Sequence, residues 1–329
     1  MRADPVVTHL FDAADVGKIL VQKGREQGRN WRYRNVRDLS RDSNPVRKYL
    51  GALAWHAGRI IDLLPSDLIH LHYGRRTAYL RLWPRRPYLL HFHGTDIRHH
   101  FYQPYAHDEM MRAAAGAEAV LYATPDLREH AVKARPDAIY FPTPVDVAAL
   151  PAWSPAEEPT IVFASRWDDS KNAALQLDIA RGLIAATGGR VRVQGLDWGG
   201  SAAAAAAAGV ELVPRMPKPD YLRWLATAHV VAGQAAGVVA TSELEAIGIG
   251  IPVVMALHPA YAGSRTPVLT GTTTDELVAA ALAALKDPRE ASRSLDGVAW
   301  LRSTHDAGML ASRLADLYRS LLAGRRQDR

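Results

Sequence analysis

Arg166 and Lys171 stand five residues apart and bracket Trp167-Asp168-Asp169-Ser170. The first closes an apolar run, Thr160-Ile161-Val162-Phe163-Ala164-Ser165, that reads as a strand, and a helical stretch begins at Ala173. Two cations at a strand end and a helix start can clamp a diphosphate and stabilise the charge on a departing nucleoside diphosphate. Further on, Thr241-Ser242-Glu243-Leu244-Glu245 has the hydroxyls and carboxylates of a helix N-terminus. Gly248, Gly250 and Pro252 close that helix, and Ile251 to Val254 follows as a buried strand. With residues 228–233 as the strand before it, the loop 234–240 falls at a strand's carboxyl end, where open α/β sheets bind ligands. Amides at the helix start would favour an anion there, and Glu245 could accept from ribose hydroxyls. The plainer alternatives are a capped core helix and a chance Arg–Lys spacing. Asp168-Asp169 is read as a helix cap, so no metal is assigned.

Two segments echo one another: Ile69-His70-Leu71-His72-Tyr73-Gly74 and Leu90-His91-Phe92-His93-Gly94-Thr95-Asp96. His-x-His puts two imidazoles on one face of a strand, as in metal-dependent hydrolases. Such a site would need further ligands at other strand ends. His70 and His91 therefore default to structure.

These residues need elements to hold them. Residues 6–11 read as a first strand, followed by a turn, Asp12 to Lys18, into a helix in which Gly17 would let a ligand approach the backbone. Residues 31–36, 119–123, 138–141, 190–195 and 210–213 read as strands. Residues 45–64 carry an apolar helical period (Leu50, Leu53, Ala54, Ala57, Ile60, Ile61, Leu64). The alanine run 202–208 reads as a surface helix, and the last amphipathic helix is expected to fray after Leu322. Prolines 142, 144, 151, 155 and 159 mark a linker.

Four stretches together resemble the retaining family 4 glycosyltransferases (glycosyltransferase group 1). These are residues 91–96, Pro142-Thr143-Pro144-Val145-Asp146, Arg166 to Lys171, and Leu244 to Val254. The resemblance implies an α/β fold of two Rossmann-like domains facing across a cleft (GT-B). It implies an acceptor-side domain over 1–148, a nucleotide-sugar donor domain over 149–305, and a final helix over 306–329 crossing back to the first domain. It makes His93, Arg166 and Lys171 catalytic, with His93 reaching the donor sugar or its phosphate. It assigns Gly17, Gly94, Arg215, Met216, Gly237, Ser242, Glu243, Leu244 and Glu245 to donor binding, with Arg215 and Met216 in the loop near the base. Lys18, Asp96 and Arg98 fall on the acceptor side. Gly237 stands where the family carries a sugar-contacting Glu, and Ser165 replaces a family glycine. The implied activity is metal-independent, cofactor-free transfer of a sugar from a nucleoside diphosphate with retention of configuration. A DNA-base or cell-surface glycosylating enzyme, a non-catalytic sugar-nucleotide binder and a His-x-His metal-dependent hydrolase remain as alternatives.

Composition narrows the partners. The chain has no cysteine, which excludes disulfides and thiolate metal sites and suits a reducing cytoplasm. No apolar run approaches the roughly 20 residues of a membrane span, and the first residues lack a secretory leader's pattern. The expected location is the cytoplasm, with the membrane's face as one place of work. Residues 1–150 hold 22 Lys and Arg against 16 Asp and Glu, whereas residues 151–329 hold 18 of each. Ten of those cations lie between Lys18 and Lys48. This basic half suits an anionic acceptor (membrane surface, phosphorylated glycan or nucleic acid) or is simply a solvated face.

Overall fold

The structure, a computed structural model, describes residues 4–35, 44–262 and 265–327, with side chains to residue 324. Val36, Arg37 and Arg41 of the basic segment lie outside the described residues, as does the end of the tail. The chain divides into two compact units, Met1–Pro144 with Ala307–Arg329, and Val145–Asp306.

The first unit holds six parallel strands: β1 (Val7–Leu10), β2 (Trp31–Arg34), β3 (Leu68–His72), β4 (Tyr88–Phe92), β5 (Ala119–Tyr122) and β6 (Ile139–Tyr140), in spatial order β2-β1-β3-β4-β5-β6. Its helices are α1 (Val16–Glu26), α2 (Pro45–Leu63), α3 (Thr95–Arg98), α4 (Pro104–Ala115) and α5 (Arg128–Ala134). Side-chain alternation sorts the strands onto two faces. Leu10, Ile69, Leu71, Leu90 and Phe92 pack in one cluster with Met110 and Ala114 of α4. Val7, Leu68 and Leu89 pack in the other with Leu20 and Val21 of α1 and with Leu310, Leu314 and Tyr318. Those last three belong to the final helix, Ala307–Gln327, which runs beyond Leu322 rather than fraying there.

The second unit is a five-stranded parallel sheet: β7 (Thr160–Phe163), β8 (Arg192–Leu196), β9 (Glu211–Val213), β10 (Val230–Ala232) and β11 (Val253–Val254), in order β11-β10-β7-β8-β9. Around it lie α6 (Ala173–Thr187), α7 (Ala202–Ala207), α8 (Lys218–Leu225), α9 (Thr241–Ile249), α10 (Thr274–Lys286), α11 (Pro288–Leu295) and α12 (Gly297–Thr304); the final helix is α13. No described helix is long and apolar enough to cross a membrane.

The apolar period of α2 faces outward: Leu50, Leu53, Ile61 and Leu64 are exposed, while the helix packs through Arg59 and Leu63. Periodicity reports that a helix has an apolar face but not which way it turns.

Candidate functional site

In the second sheet the chain builds outward from β7 in both directions, so the loops leaving β7 and β10 part at the carboxyl ends of those strands. Such a switch point opens the crevice that takes ligands in sheets of this kind. Arg166 lies three residues past β7, pairs with Asp168 and donates to Ser170 Oγ at 3.0 Å. Its side chain stays 38% exposed. Asp168 also accepts from the Ser170 N–H at 3.0 Å, so one carboxylate both caps the turn and orients the guanidinium. Lys171 ends that turn, and its carbonyl accepts from the Ala235 N–H at 3.1 Å. The loop after β7 is thereby fastened to the loop after β10.

Three residues join this crest without having been singled out by sequence. Trp198, just past β8, has the Arg215 guanidinium 4.4 Å and the Arg166 guanidinium 5.6 Å from its ring centroid. Indole faces attract cations in this way and keep them from collapsing onto other partners. Lys218 opens α8 and forms an ion pair with Glu245. The Lys218 ammonium lies 5.1 Å from the Tyr221 ring, whose hydroxyl donates to the Ala164 carbonyl at 3.3 Å. Through these contacts Glu245 is tied to the end of β7, on the same crest as Arg166 and Lys171. Glu245 thus holds a cation of its own, whereas sequence reading had it open to ribose hydroxyls. The signal for Trp198 was a large aromatic followed by Gly199-Gly200 at a strand end.

Several assigned donor residues do other work. Glu243 is fully buried, and its carboxylate accepts from the N–H groups of Gln234 (3.0 Å) and Ala240 (3.1 Å) and from Ser242 Oγ (3.1 Å). It ties the 234–240 loop to the helix start and has no role left for a ligand. Leu244 is a core side chain, and Met216 packs against that same cluster. Gly237 has φ +78°, and a Cβ there would lie 2.7 Å from the His258 nitrogen. The place of the family Glu is a tight backbone crossing where any side chain is strained. What α9 leaves open among the described residues are its first amides: helical bonding starts at Leu244 N–H to Ala240 O, 2.9 Å, so those of Thr241, Ser242 and Glu243 precede it. First-turn amides favour an anion.

The first unit places His93 in a line of five imidazoles. Residues 9, 70, 72, 91 and 93 alternate with Leu10, Leu71 and Phe92 and so share the face covered by α1 and α13, and His9 pairs in register with His70 and His72 with His91. His93 Nε2 meets His72 Nδ1 at 3.0 Å, and His72 Nε2 meets His9 Nδ1 at 3.0 Å. His9 Nε2 meets the Tyr318 hydroxyl at 3.0 Å, that hydroxyl meets His70 Nδ1 at 2.5 Å, and His70 Nε2 meets His91 Nδ1 at 3.2 Å. Burial holds all five neutral: His9 and His93 titrate at about 3, and the other three well below the usual range. A neutral imidazole has one N–H, so the line has two consistent settings. Either every histidine carries its proton on Nε2, or every one carries it on Nδ1. In the second setting the far ring, His93, turns an Nδ1–H outward, and the buried His91 Nε2, which has no partner among the described residues, is a bare acceptor. Two trios, His9–His70–His72 and His72–His91–His93, bring nitrogens within 4.8 Å of one another, a spacing that a transition metal could bridge. Most of those nitrogens already have hydrogen-bond partners in the line, and His91 Nε2 has none among the described residues. His9 and Tyr318 were not foreseen, because Tyr318 arrives from the last helix.

The other first-unit residues have varied surroundings. Asp12 accepts from the N–H groups of Ala13 (2.7 Å) and Gly17 (2.8 Å) and from the Tyr33 hydroxyl (2.7 Å). The protein's own carboxylate thus occupies the start of α1, where Gly17 was expected to admit a ligand. A Cβ on Gly17 would lie 3.0 Å from His72 Nε2, so the close approach there is to a histidine. Asp96 is fully buried and accepts from Gly74 (2.8 Å), His93 (3.1 Å), Gly94 (2.9 Å) and Ile97 (3.0 Å). It is a staple between the loops after β3 and β4, not an acceptor contact. Gly94, at φ +147°, makes that wrap possible. Arg98 is paired with the buried Asp126 at 2.5 Å. Lys18 remains exposed.

No protein-family model matches the chain, and no curated protein matches its sequence. Solved structures do match. The crystal structure of Anabaena Alr3699/HepE in complex with UDP-glucose superposes with a TM-score of 0.71 at 15% identity, covering 95% of this chain and 99% of that one. A glycosyltransferase from Rickettsia africae ESF-5 gives 0.66 at 12% identity, with 98% and 99% covered. A putative UDP-N-acetylglucosamine 2-epimerase from Listeria monocytogenes gives 0.61 at 14% identity, with 97% and 96% covered. The fold is that of the GT-B glycosyltransferases. Because a putative epimerase shares it, activity must be argued from the site.

Proposed function

We propose that the protein is a glycosyltransferase that moves a sugar from a nucleoside diphosphate sugar to an anionic acceptor. The observation that carries this reading is the crest at the ends of β7 and β10, where the turn carrying Arg166 and Lys171 is bonded to the loop that leads to the first amides of α9. Breaking the bond between the anomeric carbon and the phosphate oxygen leaves negative charge on the diphosphate. Those groups offset that charge in place before the bond breaks, so no solvent need reorganise. Trp198 with Arg215 offers a flat cationic platform beside them, and Lys218 with Glu245 offers a donor and an acceptor for ribose hydroxyls. The HepE structures, which hold UDP, UDP-glucose, or UDP and glucose, support this choice of donor.

Transfer proceeds with retention: the departing phosphate takes the acceptor hydroxyl's proton on the face it leaves, and no metal ion is required. The work is done in the cytoplasm. Thermal-shift titration with UDP-, GDP- and ADP-sugars, followed by donor hydrolysis in the presence of EDTA, tests the reading. Stabilisation and turnover that survive EDTA support it; no stabilisation by any nucleotide sugar refutes it, and binding without turnover would leave a sugar-nucleotide binder.

A further inference from the structure

We propose that the outer face of α2 docks on an anionic lipid bilayer. Val46, Tyr49, Leu50, Leu53, Ile61 and Leu64 are each between 49% and 66% exposed. At about 100° per residue they fall in a stripe about 120° wide along the helix. The opposite side of α2 packs inward through Trp55, Arg59 and Leu63. Near the helix's carboxyl end, Arg59 Nη2 donates to the Trp83 carbonyl at 2.6 Å, and Arg86 donates to the carbonyls of Leu64 and Ser66 at 2.7 Å each. Residues 82–86 are thereby held near the carboxyl end of α2, where Leu82 and Trp83 are also exposed. An exposed apolar stripe of this kind marks an interaction site.

Charge selects the occupant. Arg47 flanks the stripe, Arg81 and Arg85 are exposed next to Leu82 and Trp83 in the chain, and no carboxylate among the described residues pairs with them. The one acid of α2, Asp62, is engaged by Arg34 at 2.6 Å and Arg32 at 3.7 Å. An apolar stripe flanked by cations, with an exposed tryptophan near its carboxyl end and no free acid among the described residues of α2, fits the boundary between anionic headgroups and acyl chains. A second copy fits worse. A two-fold contact would set the same cations against each other, and one helical stripe is small beside the roughly 800 Å² per partner of a stable interface.

The inference does not depend on the sugar-transfer reading, and its test uses no nucleotide. The full chain is sedimented with vesicles of phosphatidylcholine alone and with vesicles that also contain phosphatidylglycerol. Binding to the anionic vesicles, weakened by salt, is expected. The triple change Leu50→Ser, Leu53→Ser and Ile61→Ser, on exposed positions, should keep the circular dichroism and melting temperature and lower the vesicle partition coefficient by roughly ten-fold or more. Arg47→Ala with Arg85→Ala should lower it by roughly five-fold per cation. Absence of binding to anionic vesicles, or equal binding by the triple variant, overturns the proposal. So does a parent dimer in light scattering that the triple variant turns into a monomer.

Discussion

The two sheets use one construction and finish it in opposite ways. Both are parallel, and in both the chain turns back at a switch point, between β1 and β3 in the first unit and between β7 and β10 in the second. In the first unit the strand ends are closed by the protein itself. Asp12 fills the start of α1, Asp96 takes four backbone amides, and five neutral imidazoles are bonded in a line. In the second unit the strand ends carry cations held by aromatic faces and single carboxylates, and the first amides of α9 are left open. A fold of this type therefore guarantees a crevice but not a vacant one. Whether it can take an anion depends on whether the protein has already supplied one.

The sharpest test of that contrast is to remove the carboxylate that closes the first unit. Asp96→Ala leaves four buried amides without an acceptor and should destabilise the protein by about 4 kcal/mol in chemical denaturation. Asp96→Asn should cost less. In the second unit, Arg166→Ala should leave folding nearly intact and raise the barrier to transfer by about 3 kcal/mol, read as kcat. A near-parental rate would remove its assigned role.

The histidine line gives a third test. Tyr318→Phe deletes the hydroxyl that joins His70 to His9 and should cost about 2 kcal/mol. Nitrogen NMR of the imidazoles should show the tautomers of the two halves becoming independent. The line also gives the pH response its sign. His9 titrates at about 3 when folded and near 6.5 when unfolded, so between those values the unfolded chain binds the extra proton. Its contribution is intact above 6.5 and falls by about 1.4 kcal/mol per pH unit as pH drops toward 3. The buried carboxyls of Asp12 and Asp96 are raised by burial and act in the opposite sense just above the carboxylate range. A melting temperature flat from pH 7 to about 4 would contradict burial of neutral imidazoles. The smallest effect is expected at Gly237→Ala, where positive φ and the His258 backbone at 2.7 Å should cost about 1–2 kcal/mol in thermal melts.

Much of this was legible before any coordinates. The strand–loop–helix order around Arg166 and Glu245 follows from apolar runs broken by caps and glycines, and the two-fold spacing of the histidines places His70, His72, His91 and His93 on one face. Three kinds of fact were not legible. Trp198, Lys218 and Tyr318 reach their sites from distant segments, and no local pattern announces such a meeting. Glu243 and Asp96 have the composition of ligands, yet their carboxylates are used by backbone amides a few residues away. The outward direction of the stripe on α2 was not legible either, since a period fixes the angle between side chains but not the direction of the whole helix.

By itself, the order of residues determined which stretches become strands and helices, how their side chains alternate, and where cations and imidazoles cluster along the chain. These are consequences of local sterics and of hydrophobic period, which act over a few residues. Only the tertiary structure decided which charges face solvent and which are already answered. A hydrogen bond or ion pair depends on distance in space, and burial sets what it costs to leave one unmade.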